Sequence, residues 1–271
     1  MSTNIHEFTI AAAQSSSVKG DIAQNVRRHA EFVVRAAGHH AKVVVFPELS
    51  LTGYEPTVAA ELALDARDAH LAPLQELSDK LSVTIIAGCP VRSDEVKPYI
   101  GAFIIRPQLP VEVYRKRFLH PGEEQHFIPS DDVVVCHCHG RAVGIAICAD
   151  ISNPRHAADA SQQNATIYAA GLAFTPKGIA EAEAAMSGYA RQYRFLAVIA
   201  NYASPTGGYP MAGRSAIWDE SGALIAQAGA TSESLVLATA TPNGWTGRLV
   251  EMGCTSNVAD EVFTAPNRVP I

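Results

Sequence analysis

The sequence has no surplus of basic charge, no long apolar run and no even set of cysteines. Its 271 residues hold 27 acidic and 21 basic side chains, and the net charge of −6 argues against a nucleic-acid partner. No apolar stretch approaches the roughly 20 residues that span a bilayer, and the first residues lack the pattern of a signal peptide. Five cysteines favour free thiols in a reducing compartment. We therefore expect a cytoplasmic protein with neither a membrane nor a nucleic-acid partner.

No flexible linker or shift in composition divides the chain, which predicts a single domain over residues 1–271. Predicted strands alternate with helices and hairpins, which is typical of an α/β fold with mixed sheets. More than ten strands are predicted, too many for one twisted open sheet, so two packed sheets are expected. Residues 235–240 are predicted as the last strand. Residues 241–271 show little periodicity and are predicted as an extended tail, one that could lie at a subunit interface.

The predicted helices follow from apolar residues that recur at three- and four-residue spacing. They cover 22–37 with Asp21 as the cap, 58–81 with a possible break at Pro73, the stretch after Cys148 to about 163, and 177–195. A hairpin is predicted across His139-Gly140.

Three chemically reactive side chains stand where an apolar strand stops. Glu48 follows the strand at 42–46, Lys116 follows the strand at 111–115, and Cys148 follows the apolar run at 142–147. Singly, each has a plain explanation, because a buried Cys is often inert and a Glu or Lys is usually solvated. Together they make a coherent nucleophilic site, in which a carboxylate takes the thiol proton and an ammonium stabilises an oxyanion.

The turn at Cys148 has the local features of a binding edge. The strand before it ends abruptly, and Pro154 then opens a helix with Ser152 or Asn153 as its cap. The carboxyl ends of buried strands in open α/β sheets are where ligands bind, and N–H groups at a helix start suit an anion.

Three motifs carry a resemblance to a known family. They are Phe46-Pro-Glu-Leu-Ser-Leu-Thr-Gly-Tyr54, Tyr114-Arg-Lys-Arg-Phe-Leu-His-Pro-Gly-Glu-Glu124 and Gly144-Ile-Ala-Ile-Cys-Ala-Asp150. In order and spacing they resemble the three catalytic blocks of the nitrilase superfamily of carbon–nitrogen hydrolases, and the resemblance runs from about residue 8 to 240. It implies a four-layer α-β-β-α sandwich with two mixed β-sheets, a homodimer formed through helices near the active site, and neither a metal nor an organic cofactor.

The resemblance also implies a role for each reactive residue. Cys148 would be the nucleophile and Glu48 the general base, while Lys116 and the backbone N–H of Ala149 would stabilise the tetrahedral intermediate before a thioester forms. Many members carry a second glutamate four residues before a Phe, which selects Glu123, with Glu124 as the alternative.

The residues after the cysteine narrow the expected chemistry. The sequence reads Cys-Ala-Asp where nitrile hydrolysers of this family typically read Cys-Trp-Glu, which favours hydrolysis of a small linear amide or N-carbamoyl compound. A nitrilase and a non-catalytic binding member remain alternatives. No segment for using released ammonia is evident, so a stand-alone hydrolase is expected, and Asp150 is expected to bind local N–H groups.

Substrate contacts and a metal site are harder to assign from the sequence. Tyr54, Phe174, Asn201 and Tyr202 are candidate substrate contacts, and each could equally be simple packing. The run Cys136-His137-Cys138-His139 looks like a metal site, but on a strand its cysteines and histidines would face opposite ways. We therefore predict no metal.

Overall fold

The computed structural model describes residues 8–133 and 135–253, and in these ranges the chain forms thirteen strands. The strands are β1 Thr9–Gln14, β2 Ala41–Val45, β3 Thr84–Val91, β4 Tyr99–Ile105, β5 Glu112–Arg115, β6 Val135–Cys138, β7 Arg141–Ile147, β8 Ile167–Gly171, β9 Leu196–Ala200, β10 Ala216–Trp218, β11 Leu224–Gln227, β12 Ser234–Thr241 and β13 Gly244–Glu251. The α-helices are α1 Ile22–Ala37, α2 Ala59–Leu62, α3 Ala72–Leu81, α4 Pro154–Gln162 and α5 Ile179–Tyr193.

The strands form two mixed sheets with the same internal plan. The seven-stranded sheet has the order β13-β12-β1-β2-β3-β4-β5, and the six-stranded sheet has the order β11-β10-β9-β8-β7-β6. In each sheet three neighbouring strands are parallel, β1-β2-β3 and β7-β8-β9, and antiparallel strands flank them. The expectation of two mixed sheets in an α/β fold is confirmed.

Three apolar cores lie between four layers. Along β2, Val43 and Val45 face the core between the two sheets, while Val44 faces the core beneath α1 and α3. This alternation is the period of two that a strand imposes on its side chains. A third core joins β7, β8 and β9 to α4 and α5. The order of layers is therefore helices, sheet, sheet, helices.

Caps and turns set the helix ends close to where the sequence predicts them. The Asp21 side chain accepts a hydrogen bond from the N–H of Gln24 and caps α1, and Asn153 rather than Ser152 caps α4. The predicted helix at 58–81 is interrupted before Pro73, not at it. Pro73 lies in the first turn of α3, where its missing N–H costs nothing.

The prediction that residues 235–240 form the last strand is wrong. Strand β13 pairs with β12 along its whole length, so residues 244–251 belong to the sheet and not to an extended tail. Most of its side chains are exposed, and an edge strand in solvent lacks the apolar alternation that would reveal it. Residues 254–271, the rest of the predicted tail, lie outside the described residues. Among the helices that are described, none is long and apolar enough to cross a membrane.

Candidate active site

Glu48 stands on a tight turn that follows β2 and presses against both sheets. A Cβ on Gly88 would come within 2.3 Å of the backbone nitrogen of Leu49, and a Cβ on Gly171 would come within 2.6 Å of the carbonyl oxygen of Phe46. Glycine is therefore required at both positions, one in each sheet. The N–H of Glu48 also donates to the carbonyl of Leu172 at 3.3 Å. Both sheets therefore hold the turn, and the Glu48 carboxylate projects from a backbone that is fixed in place.

Lys116 follows β5 and is buried between two carboxylates. Its Nζ donates to Glu48 Oε1 at 2.7 Å and to both oxygens of Glu123, at 2.9 and 2.8 Å. The exposed fraction is 0% for Lys116 and 1% for Glu48. Glu124 is exposed and binds the N–H of Gly122 instead. Of the two candidates for the second glutamate, Glu123 is therefore the one in the cluster.

Cys148 lies directly after β7 with a φ of +46°, in the left-handed region that non-glycine residues rarely occupy. Such backbone strain persists only where the surroundings hold it, and it is common at functional sites. Ala149 is the next residue of the same 3₁₀ turn, whose first N–H groups have no partner within the turn.

Asp150 holds the Cys148 turn against the segment that carries Lys116. Its Oδ2 accepts the N–H of Ile147 at 2.9 Å, and its Oδ1 accepts the N–H groups of Arg117 and Phe118 at 3.1 and 2.9 Å. The expectation that Asp150 binds local N–H groups is confirmed. The same carboxylate thus ties the residue before Cys148 to the two residues after Lys116.

A chain of buried side chains extends behind Asp150. Tyr114 donates its hydroxyl proton to Asp150 Oδ2 at 2.6 Å and lies 2.8 Å from His156 Nε2, while His156 Nδ1 lies 2.8 Å from the hydroxyl of Tyr168. Burial lowers the pKa of His156, so the ring is neutral at pH 7. A neutral His156 then donates from Nε2 to Tyr114 and accepts from Tyr168 at Nδ1. Every member of the chain is satisfied, which stiffens the site.

Burial dominates the proton affinities in the cluster. It raises the pKa of Glu48 to about 7, against the opposing charge of Lys116 and with a further rise from Glu123. Burial also raises the pKa of the Cys148 thiol well above its usual range, with Glu48 adding to the rise. Burial disfavours the ammonium of Lys116, but Glu48, Cys148 and Glu123 outweigh it and raise its pKa. At neutral pH the thiol is therefore protonated beside a carboxyl group that can gain or lose a proton.

The Glu48 carboxylate has a free oxygen for such a transfer. Its Oε1 binds Lys116, whereas Oε2 is buried without a hydrogen-bond partner among the described residues. Buried carboxylate oxygens are normally paired, so an unpaired one marks a place where a proton or a ligand binds. This arrangement can remove a proton from the thiol and return it to a leaving group.

A cavity of about 1150 Å³ opens above Cys148. Cys148, Ala149 and Glu123 line it, as do Tyr54 and Phe174 from the set of predicted substrate contacts. Tyr54 donates its hydroxyl proton to Glu123 Oε1 at 2.8 Å. Glu48 and Lys116 are buried next to this cavity, so the structure brings all four predicted reactive side chains together at one place.

Asn201 and Tyr202 are not in the cavity wall, which corrects their assignment as substrate contacts. Both are fully buried, and their polar atoms bind the protein itself. Asn201 accepts the N–H of Phe174 at 3.0 Å and donates to the carbonyls of Phe174 and Gly213. The hydroxyl of Tyr202 donates to the backbone carbonyl of Glu48 at 2.7 Å. They position a wall residue and the Glu48 turn, respectively.

The four residues that resemble a metal site diverge as their strand requires. Cys136 and Cys138 are buried between the sheets, while His137 is exposed and His139 lies in the turn. Within residues 8–133 and 135–253, no group of three or more His, Cys, Asp or Glu side chains is arranged to hold a metal ion.

Several residues that shape the site gave no sequence signal of their own. His156 and Tyr168 stand in ordinary helix and strand patterns, and their link to Asp150 appears only in three dimensions. Tyr209 and Met211 line the cavity from a loop for which the sequence predicts neither helix nor strand. The strict glycine requirement at Gly88 had one possible signal, a glycine inside an apolar strand, which often marks a close backbone approach.

The sequence matches a family model over most of its length. The model is that of the carbon-nitrogen hydrolases, and it matches residues 9–247. Among curated proteins, the glutamine-dependent NAD(+) synthetase of Acinetobacter baylyi is 28% identical over 148 residues, which is 53% of this chain but 27% of that protein. The same enzyme of Thermotoga maritima is 30% identical over 151 residues, or 54% of this chain and 26% of that protein. The alignment thus spans about a quarter of these relatives' length.

Solved structures share the fold at low sequence identity. An amidase from Nesterenkonia sp. AN1, in a variant that records Michael addition of acrylamide at the active-site cysteine, has a TM-score of 0.78 at 21% identity and covers 85% of this chain and 92% of that one. Another variant of that amidase was solved in complex with butyramide. Nit3 of Saccharomyces cerevisiae, a member of branch 10 of the nitrilase superfamily, has a TM-score of 0.80 at 20% identity and covers 88% of this chain and 91% of that one.

Proposed function

We propose that this chain, which belongs to the carbon–nitrogen hydrolase family, is a cysteine-dependent amidase of the nitrilase superfamily. Its substrate is a small amide, which gives ammonia and a carboxylic acid, or an N-carbamoyl compound, which gives ammonia, carbon dioxide and an amine. The observation that carries the proposal is the buried cluster of Glu48, Lys116 and Glu123 beside Cys148, at the base of the cavity. The structural likeness to an amidase with an adduct at its active-site cysteine supports it.

The first half of the reaction forms a thioester. Glu48 takes the proton of the Cys148 thiol as the sulfur attacks the amide carbon, and the N–H of Ala149 and the ammonium of Lys116 stabilise the oxygen that becomes negative. An ammonium has three N–H donors, and Lys116 already uses three, so one bond to Glu123 opens as the oxyanion forms. Glu48 then gives its proton to the nitrogen, the C–N bond breaks and ammonia leaves.

The second half hydrolyses the thioester. Glu48, ionised again, takes a proton from water as the water oxygen attacks the acyl carbon. The C–S bond breaks, the sulfur regains a proton from Glu48, and the carboxylic acid leaves. A carboxyl group serves as base and acid in alternation only if its pKa lies near the working pH. The pKa of Glu48, raised by burial to about 7, meets this requirement.

The direct test is ammonia release over a panel of neutral amides, N-carbamoyl amines, N-carbamoyl amino acids and nitriles, with Cys148→Ala as the blank. We expect release from amides or carbamoyl compounds, and none in the blank. Adding hydroxylamine during turnover should divert the acyl group to a hydroxamate, because hydroxylamine attacks a thioester. Release by the wild-type protein from nitriles alone would reject the amidase assignment in favour of a nitrilase. Equal release by Cys148→Ala would reject the thiol mechanism.

L-Glutamine is a second candidate substrate, favoured by the similarity to glutamine-dependent NAD(+) synthetases. That similarity covers about half of this chain, so glutamine belongs in the panel beside the neutral amides. Preferred release of ammonia from glutamine would assign the chain a glutaminase activity. The same site would then act on a zwitterion.

Homodimer formation and a cytoplasmic location stay predictions drawn from the family resemblance and the composition. Light scattering of the purified protein tests the first, with a mass near twice the 28.8 kDa of the chain as the expected result.

A further inference from the structure

We propose that the cavity above Cys148 contains an apolar acyl-binding subsite, formed by Tyr54, Phe174, Tyr209 and Met211, that selects amides with an uncharged apolar or aromatic acyl group. The inference rests on the proposed amidase function for its chemistry, but the subsite itself is argued from contacts. The subsite binds the acyl group, which is the part of the substrate that the reactive cluster does not touch. It also assigns Tyr209 the main role in specificity.

Tyr209 is an exposed aromatic residue on the rim of the cavity. Its exposed fraction is 54%, and its ring meets the ring of Tyr54 edge to face, with centroids 6.5 Å apart. A half-exposed tyrosine is unremarkable alone. Here, however, two aromatic rings stand together over a cavity whose floor holds the thiol, and aromatic rings supply large apolar contact area at low cost in entropy.

The turn that carries Tyr209 is fixed to the segment that carries Tyr54. The backbones of Thr206 and Tyr209 exchange hydrogen bonds at 3.2 and 3.0 Å, and Thr206 Oγ1 accepts the N–H of Tyr54 at 3.0 Å. Between them, Gly207 has a φ of +60°, and a Cβ there would come within 2.1 Å of the Tyr54 carbonyl oxygen. Tyr209 is therefore presented by a tight turn that only glycine allows at this distance.

Phe174, which also lines the cavity, is equally well held. Asn201 binds both the N–H and the carbonyl of Phe174, and the N–H of Ala212 donates to the same carbonyl at 2.9 Å. A Cβ on Gly178 would come within 2.9 Å of the Phe174 ring, so the ring lies directly on that backbone. The Tyr54 side chain is fixed in turn by its bond to Glu123. A preorganised apolar wall binds a ligand without the entropy loss of ordering side chains.

The charges that line the cavity do not suit an anionic substrate. Two lysines, two histidines and three glutamates line it, and no arginine does so in the part of the chain that is described. Lys19 pairs with Glu55 at 2.9 Å, while Lys177 and Glu181 bring one charge of each sign. Carboxylate groups of ligands are bound best by a bidentate arginine or by a surplus of positive charge. The lining offers neither, which favours a neutral acyl group.

The test compares matched substrates and matched variants. The amides are acetamide, butyramide, 3-phenylpropanamide, 5-methylhexanamide and glutaramate. The last two form a matched pair, because 5-methylhexanamide ends in an isopropyl group where glutaramate ends in a carboxylate. Glutamine is included. The variants are Tyr209→Ala, which removes the ring, and Tyr209→Phe, which keeps it. Binding of 3-phenylpropanamide to Cys148→Ala, with and without Tyr209→Ala, is measured by calorimetry so that the subsite is read without turnover.

We expect the wild-type protein to prefer 5-methylhexanamide to glutaramate in kcat/KM by at least about tenfold. Burial of the carboxylate end of glutaramate is unfavourable, whereas burial of the isopropyl end of 5-methylhexanamide is favourable. Tyr209→Ala should lower kcat/KM for 3-phenylpropanamide by about tenfold, chiefly through KM, because an aromatic contact and its buried area are lost. Acetamide, too short to reach the rim, should change less than about twofold. Tyr209→Phe should behave as wild type.

Two results would overturn the subsite. One is a preference for glutaramate or glutamine over the neutral amides. The other is an equal effect of Tyr209→Ala on acetamide and 3-phenylpropanamide. If no amide is hydrolysed but 3-phenylpropanamide binds to Cys148→Ala through Tyr209, the subsite stands and the amidase function falls. If amides are hydrolysed without dependence on Tyr209, the reverse holds.

Discussion

Replacing Glu123 by glutamine removes one negative charge from the reactive cluster and keeps the shape of the side chain. Glu123 and Glu48 share one cation, because both bind Lys116 Nζ. The negative charge of Glu123 is one of the causes that raise the pKa of Glu48, after burial and against Lys116. In Glu123→Gln, Glu48 is the only carboxylate that binds Lys116 Nζ. The carboxylate form of Glu48 is then favoured, and its pKa falls below about 7.

The size of this shift follows from the geometry. Both carboxylates lie within 2.9 Å of the same nitrogen, so their nearest oxygens are no more than about 6 Å apart. At an effective dielectric constant of about 20, two unit charges at that distance interact by about 3 kcal/mol. Relaxation of the site reduces this value, so we expect the pKa of Glu48 to fall on the order of 1 to 2 units.

The assay is the pH dependence of kcat/KM, which reports groups of the free enzyme. The wild-type rate should rise with pH through an acid limb near 7, because Glu48 must be ionised to accept the thiol proton. In Glu123→Gln the limb should move to lower pH. Glu124→Gln is the matched control, because this neighbour is exposed and lies outside the cluster. Its limb should stay where it is in the wild-type protein.

An acid limb that stays in place in Glu123→Gln, or moves to higher pH, would refute the reasoning that the two carboxylates share the charge of Lys116. A wild-type limb near 4.5 would go further, because it would mean that burial does not raise the pKa of Glu48. A shift of equal size in Glu124→Gln would assign the effect to the surface charge of the loop.

Three other perturbations test the same cluster. Lys116→Met should reduce kcat by orders of magnitude and leave the buried carboxylates of Glu48 and Glu123 without their shared cation. Thermal melts should therefore show destabilisation by about 3 kcal/mol or more at pH 8 and less at pH 5; equal destabilisation at both values would contradict this. The pKa of Glu48 is raised above its unfolded value, so its contribution to stability is complete below pH 4.5 and is lost as pH rises through about 7. Across that window the free energy of unfolding of the wild-type protein should fall by up to about 3 kcal/mol relative to that of Glu48→Gln. Stability curves of the two proteins that run parallel from pH 4.5 to about 8 would exclude this contribution of Glu48. Gly88→Ala should abolish activity in the ammonia assay, because its Cβ would come within 2.3 Å of the Glu48 turn. The control is Gly229→Ala, whose Cβ would have no atom within 4 Å and whose activity should be near that of the wild-type protein. An active Gly88→Ala would show that the turn can move.

The parts of the fold that the sequence predicts are those with strong local patterns. The apolar run before Cys148, the β-branched strand before Glu48 and the cap at Asp21 each produce their element through interactions within a few residues. Strand β13 has no such pattern, because it lies at a sheet edge with most side chains in solvent. Its place is determined by pairing with β12, which a local pattern does not contain.

Some features of the candidate site can likewise be predicted from local sequence patterns, and others cannot. The order of Glu48, Lys116 and Cys148 along the chain, each at a strand end, was enough to suggest one site. The choice of Glu123 over Glu124 depended on which side chain turns inward, and the structure resolves it through the bonds to Lys116. Asn201 was misplaced because a residue just after a strand can face either the cavity or the packing behind it. Here it holds the backbone of the wall instead of touching the cavity.

The position of the reactive groups depends on backbone contacts more than on the groups themselves. Lys116 comes from the edge of one sheet and Cys148 from the other, and Asp150 joins their segments through N–H groups on both sides. The Glu48 turn is fixed separately, by glycines in both sheets and by the hydroxyl of Tyr202 on its carbonyl. Small displacements of reacting groups cost large factors in rate. A site assembled from two sheets therefore needs bonds that cross between them, and the strained backbone of Cys148 persists because Asp150 supplies such bonds.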